Sequence, residues 1–112
     1  MSAPPRRIIA ADDHPLMLDA LYTVFADQQQ FNIVATARSF PEVVAAALAT
    51  PADLLILDLI GMHVSAVTMV ERLRRDAPHL KVVILSSRVD MAPELLRAGA
   101  VGYVTKAERS SV

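Results

Sequence analysis

A chain of 112 residues, 54% of them hydrophobic and 21% charged, has the length of one domain and enough apolar side chains to bury a core, which excludes an intrinsically disordered segment. Eleven basic residues against twelve acidic ones give a formal net charge of -1, so no basic surplus indicates nucleic-acid binding by this chain. Cysteine is absent, which excludes disulfides, thiolate catalysis and zinc–thiolate sites. No apolar run approaches the ~20 residues of a membrane span, and the N-terminus lacks signal-peptide features, so a cytoplasmic location without membrane contact is expected.

Short apolar runs alternate along the chain with longer amphipathic stretches. The runs are four or five residues long and rich in Val, Leu, Ile and Ala, which is typical of strands buried on both faces. They are predicted at residues 7–11, 33–37, 54–57, 82–85 and 101–104.

The four intervening stretches carry helix signals. Pro15 suits a first helical position, and Ser39 with Glu42 has the spacing of a capping box. The fourth helix is predicted to be short, with Asp90 as its cap, Pro93 near its start and Gly99 at its end. The apolar residues predicted to face the core from the first three helices are Leu18, Leu21, Val24, Phe25, Val43, Val44, Ala47, Leu48, Val67, Val70 and Leu73.

This order predicts an α/β fold, a doubly wound five-stranded parallel sheet of flavodoxin-like order 2-1-3-4-5. Residues 1–5 are interpreted as an N-terminal tail and residues 6–112 as one domain, with no output domain in this chain. The polar residues 105–112 are too few for a closing fifth helix, so the chain is expected to be truncated after strand 5. One sheet face would then carry only the first helix, and a homodimer or domain swap through the uncovered strand-5 side is expected.

Polar side chains follow four of the predicted strands. Asp12 and Asp13 follow the first, Asp58 the third, Ser86 the fourth and Lys106 the fifth. The carboxyl ends of parallel strands meet at one sheet edge, so these groups should converge there. Two like charges ~4 Å apart repel by about 4 kcal/mol at an effective dielectric of ~20, so this cluster needs a cation or a raised pKa. Oxygen ligands of this density suit Mg²⁺.

The constellation resembles the receiver domain of two-component response regulators. The AADDHP opening and the AGAVGYVTK ending are most similar to the branch with a C-terminal helix-turn-helix DNA-binding domain. The resemblance implies that Asp58 accepts a phosphoryl group from a histidine kinase, with Lys106 pairing to that group. It implies a switch in which Ser86 shifts toward the phosphoryl group and Tyr103 swings inward behind it. The Mg²⁺ ligands that it implies are Asp12, Asp13, Asp58 and the backbone carbonyl of Ile60, with Asp13 binding the ion directly and Asp12 through water.

Two alternatives accompany this interpretation. The loop 60–66 lacks the Pro and the later Gly that the family usually has, so a phosphorylation-incompetent receiver that serves as a dimerisation or docking module stays open. An enzyme is not expected beyond self-phosphorylation and self-dephosphorylation, because a phosphatase of the haloacid dehalogenase type needs an Asp where Ile60 stands.

His14 is interpreted as a helix-start residue rather than a ligand. Transcription would be regulated by a longer parent protein, since nothing in this chain is expected to contact DNA.

Overall fold

The computed structural model describes residues 4–58, 65–86 and 92–105. Strands and helices alternate through these ranges, as the sequence predicts. The elements in chain order are β1 (Arg6–Ala11), α1 (Pro15–Ala26), β2 (Phe31–Ala37), α2 (Phe40–Ala49), β3 (Leu54–Asp58), α3 (Ala66–Asp76), β4 (Lys81–Ser86), α4 (Ala92–Ala98) and β5 (Gly102–Thr105).

The five strands form one parallel sheet in the order β2-β1-β3-β4-β5. This confirms the predicted doubly wound topology. β1 and β3 are neighbours, with Ala11 beside Leu57, so the residues that follow them emerge side by side. β2 is an edge strand and lies on the far side of β1 from β3.

Local signals set the helix boundaries. α1 begins at Pro15, with His14 as its N-cap. At the start of α2, the Glu42 N–H donates to Ser39 Oγ at 3.4 Å, as the capping box predicts. The short α4 ends at Ala98, and Gly99 follows it with a φ of +132°, a conformation that residues with side chains rarely adopt. The predicted cap Asp90 lies outside the described residues.

The two faces of the sheet carry cores of unequal size. Helices α2, α3 and α4 cover one face, where Ile9, Leu55, Leu57 and Ile84 are fully buried. On the other face α1 is the one helix within the described ranges, and its Leu18 and Leu21 pack with β1, β2 and β3 residues. Beyond the reach of α1, Val83 and Leu85 of β4 are only half-buried and Val104 of β5 is 40% exposed. We call these last three residues the β4–β5 patch.

The prediction of burial in the core is wrong for two residues. Val24 of α1 and Leu48 of α2 are 48% and 62% exposed. At 100° per residue, Val24 lies about 90° from the centre of the face formed by Leu18, Leu21 and Phe25. Leu48 lies farther still from the face of α2, which Val43 and Ala47 bury. Each helix therefore buries a narrower stripe than its apolar composition indicates.

Candidate functional site

Three buried polar side chains lie at the carboxyl edge of the sheet. Asp12 follows β1, Asp58 is the last residue of β3 and Ser86 the last of β4. Asp12 and Asp58 have no exposed surface and Ser86 is 5% exposed, and within the described ranges these are all of the buried polar residues. Polar groups are otherwise rare in protein interiors, so their concentration at one edge marks it as the candidate site.

The Asp12 carboxylate is in an unfavourable environment for a charge. Its Oδ1 accepts a hydrogen bond from the His14 N–H at 2.9 Å, whereas its enclosed Oδ2 accepts none from the described part of the chain. Burial, and secondarily the neighbouring Asp58 carboxyl, raise the pKa of Asp12 from 3.8 to about 6. The contacts with His14 oppose that rise. A positive ion between the two carboxylates would remove the penalty.

Asp13 and His14 extend the cluster toward solvent. His14 Nδ1 lies 2.7 Å from Asp13 Oδ1 and 3.1 Å from Asp12 Oδ1. One potential ligand atom from each of these three residues lies within 4.8 Å of the others. The predicted role of His14 at the helix start is confirmed, because it is the N-cap of α1. Its ring contact with both carboxylates was not predicted, although the Asp-Asp-His run was the available signal.

The predicted switch residues occupy β4 and β5. In the pairing of β3 with β4, Asp58 stands beside Leu85, so Ser86 is one residue farther along the same edge. Tyr103 stands beside Ile84 and is half-buried against the larger core. The structure thus brings Asp12 and Asp58 together and puts Ser86 at their edge. Lys106 and Ile60 lie outside the described residues.

The chemistry of these side chains fits a hard divalent cation. Mg²⁺ takes oxygen ligands in an octahedral arrangement and is usually held by one or two carboxylates, with waters and phosphate oxygens completing the shell. Here the enclosed Asp12 Oδ2 accepts no hydrogen bond from the described residues, and the Asp58 carboxyl is a neighbour of the Asp12 side chain. Asp12, Asp13 and Asp58 are the residues that would hold the ion.

The fold and this acidic edge define a signalling domain. The family described as "Response regulator receiver domain" matches residues 8–111, and the chain belongs to that family. Receiver domains are parts of two-component response regulators, with phosphorylation on Asp and Mg²⁺ binding at an acidic pocket as general properties. They are generally non-enzymatic signalling modules.

Individual relatives place the chain within the family. It is 31% identical to the nitrate/nitrite response regulator protein homolog of Haemophilus influenzae, a match covering 89% of this chain and 49% of that protein. It is 26% identical to the response regulator protein VraR of Staphylococcus saprophyticus, covering 96% and 52%. The isolated receiver domain of RcsB from Salmonella enterica, determined with the phosphomimetic BeF3-, superposes with a TM-score of 0.82 at 22% identity, covering 92% and 78%.

VraR and RcsB are LuxR-family response regulators with helix-turn-helix output domains, which confirms the predicted branch. The chain spans about half the length of the curated relatives that it matches. None of the helices in residues 4–58, 65–86 and 92–105 is both long and apolar enough to cross a membrane.

Proposed function

We propose that this chain is a cytoplasmic receiver that accepts a phosphoryl group on Asp58 from the phospho-histidine of a histidine kinase. The observation that carries the proposal is the buried pair of Asp12 and Asp58 at the carboxyl edge of the sheet. Two neighbouring buried carboxylates do not stabilise the hydrophobic core. They are, however, the groups that a metal-assisted phosphoryl transfer requires.

In this proposal Asp58 is the nucleophile. One of its carboxylate oxygens forms a bond to phosphorus as the phosphorus–nitrogen bond of the ring-protonated phospho-histidine breaks. The electron pair of that bond returns to nitrogen, which leaves an acyl phosphate on Asp58 and a neutral imidazole on the kinase. Asp12 and Asp13 would hold Mg²⁺ beside Asp58, and the Ile60 carbonyl would be a further ligand. When bound, Mg²⁺ neutralises charge on the transferring phosphoryl group. Lys106 would pair with the phosphoryl oxygens.

Ser86 and Tyr103 are proposed to convert phosphorylation into a surface change. Ser86 ends β4 at the edge where Asp58 lies, and its hydroxyl can donate to a phosphoryl oxygen. Tyr103 lies on the adjacent strand and is half-buried, so its ring can move inward when Ser86 shifts. The differential contacts of Ser86 with the phosphoryl group would bias the surface around α4 and β5 toward one of two arrangements.

Intact-mass analysis after incubation with Mg²⁺ and a small phosphodonor tests this function. We expect a gain of one phosphoryl group in the wild type and in Asp19→Asn, a matched change at an exposed carboxyl group on α1. We expect no gain in Asp58→Asn. A wild type that stays unmodified with donor in excess would contradict the proposal and favour the docking module.

Within a complete regulator, residues 6–112 would form the receiver unit, and a helix-turn-helix domain elsewhere in a longer parent would contact DNA. Support comes from the LuxR-family relatives, which are about twice as long as this chain. Control of transcription would then follow from the phosphorylation of Asp58.

We propose a homodimer in which a second copy covers the β4–β5 patch. Val83, Leu85 and Val104 lie on the sheet face that α1 covers only in part, and Val104 is 40% exposed. Light scattering should show the apparent mass rising with concentration. Val104→Lys should abolish the rise, whereas Leu48→Lys, at an exposed apolar position on α2, should not. A wild type that is monomeric at all concentrations would contradict the dimer.

A further inference from the structure

We propose that His14 is a metal ligand, which makes this site a mixed imidazole–carboxylate centre that binds first-row transition ions such as Mn²⁺ and Co²⁺ more tightly than Mg²⁺. The inference rests on the metal site of the proposed function and deepens it. It concerns which ion the site selects, and it adds a nitrogen ligand to a set that otherwise consists of oxygen atoms.

The spacing of the three side chains matches neighbouring positions around one ion. Ligand atoms about 2.1 Å from an octahedral ion lie about 3.0 Å apart when they are adjacent in the shell. His14 Nδ1 is 2.7 Å from Asp13 Oδ1 and 3.1 Å from Asp12 Oδ1. An ion bound by the Asp12 and Asp13 carboxylates could therefore also bind His14 Nδ1 after small side-chain adjustments.

A second observation distinguishes this cluster from an ordinary surface group of acidic residues. Asp12 is fully buried, and its Oδ2 accepts no hydrogen bond from the described residues. Asp13 Oδ1 is also enclosed, and His14 Nδ1 lies 2.7 Å from it as an ion-pair partner. A buried carboxylate oxygen of this kind is costly unless a positive group meets it, so a cation bound at this cluster would be stabilised by Asp12.

The nitrogen ligand determines the choice of ion. Mg²⁺ is a hard ion that prefers oxygen and keeps much of its water, so it gains little from an imidazole. For a given nitrogen and oxygen set, affinity rises from Mn²⁺ to Co²⁺ and beyond, and imidazole favours these ions. The His14 side chain is 57% exposed, so its ring can adjust to an ion while its backbone still caps α1.

Metal titrations of the full chain test the inference. Calorimetry would compare Mg²⁺ and Co²⁺ binding to the wild type, His14→Ala and His14→Gln, with His79→Ala as the control at an exposed loop histidine. We expect Co²⁺ affinity to fall about 10-fold or more in both His14 variants, with less than about a twofold change for Mg²⁺. His79→Ala should bind both ions as the wild type does. Circular dichroism would show that the variants are folded.

Nuclear magnetic resonance gives a direct readout of ligation. With Co²⁺ bound, the wild type and His79→Ala should show a strongly shifted imidazole resonance that is absent from both His14 variants. Equal losses of Mg²⁺ and Co²⁺ affinity in the His14 variants, unchanged Co²⁺ affinity, or no shifted resonance would each overturn the assignment.

The phosphorylation assay separates this inference from the proposed function. If Asp58 is not phosphorylated but Co²⁺ binding depends on His14, the metal assignment stands and the phosphoacceptor proposal falls. If Asp58 is phosphorylated with Mg²⁺ and His14→Ala binds Co²⁺ as the wild type does, the function stands and the role of His14 falls.

Discussion

The substitution Asp12→Asn should stabilise the metal-free domain, which is the opposite of the usual effect of changing a buried residue. On folding, the pKa of Asp12 rises from 3.8 to about 6 because of burial and the adjacent Asp58 carboxyl. Once the group is ionised, this rise costs about 3 kcal/mol of folding free energy. The Asn side chain keeps the Oδ1 that accepts the His14 N–H, and its amide can donate to Asp58.

The pH dependence of this gain follows from the sign of the pKa change. The unfolded chain loses the Asp12 proton near pH 3.8 and the folded chain at about pH 6, so the free energy of unfolding decreases between these values. Asp12→Asn should therefore be more stable than the wild type by about 3 kcal/mol at about pH 7.5 and by about 1 kcal/mol at about pH 4.5.

Urea unfolding with chelator at the two pH values measures these differences, with Asp19→Asn as an exposed control that should show neither. Addition of Mg²⁺ should stabilise the wild type and not Asp12→Asn, because the ion needs the carboxylate. A variant less stable than the wild type near neutral pH without metal, or a gap of equal size at both pH values, would refute the reasoning.

Three further substitutions test the packing and the caps by the same urea unfolding. Leu95→Ala should destabilise by about 2–5 kcal/mol, since Leu95 of α4 is fully buried; a smaller loss would mean that α4 packs loosely. Ser39→Ala should cost about 0.5–1 kcal/mol, because it removes the long hydrogen bond to Glu42. Gly99→Ala should reduce the free energy of unfolding by about 1–3 kcal/mol, because the φ of Gly99 is positive. If Arg74→Ala restores the stability of this variant, the cost comes from the contact with the Arg74 side chain instead.

The strand order could be predicted because alternation and handedness leave few arrangements for short apolar runs. The burial predicted for both faces of every strand holds for residues 8–11 of β1 and for most of β3, but it fails for β2 and for β4. In β4, Val82 and Ile84 are buried while Val83 and Leu85 are half-buried. The reason is that α1 packs on its face of the sheet over β1, β2 and β3. An apolar sequence run does not indicate which helix covers each face of its strand.

The pairing of Asp12 with Asp58 could be predicted from the sequence, whereas the detail around these two residues could not. Parallel neighbours put Asp12 and Asp58 side by side, and this followed from the topology. Sequence alone did not show that Asp12 is fully buried while Asp13 is half-buried, because that depends on how the chain turns between β1 and α1. The approach of the His14 ring to both carboxylates depends on a side-chain rotamer, which sequence patterns do not specify.

Among the described elements α1 alone covers its face of the sheet, and this has a consequence for how the domain opens. With so small an interface, α1 should be the first cooperative unit to detach in native-state hydrogen exchange, well before the strands beneath α2, α3 and α4. The acidic cluster stands at the first turn of this helix, with His14 as its cap. A cation bound at the acidic cluster would link the amino-terminal end of α1 to the sheet. Slower amide hydrogen exchange along this helix would therefore indicate that the metal site is occupied.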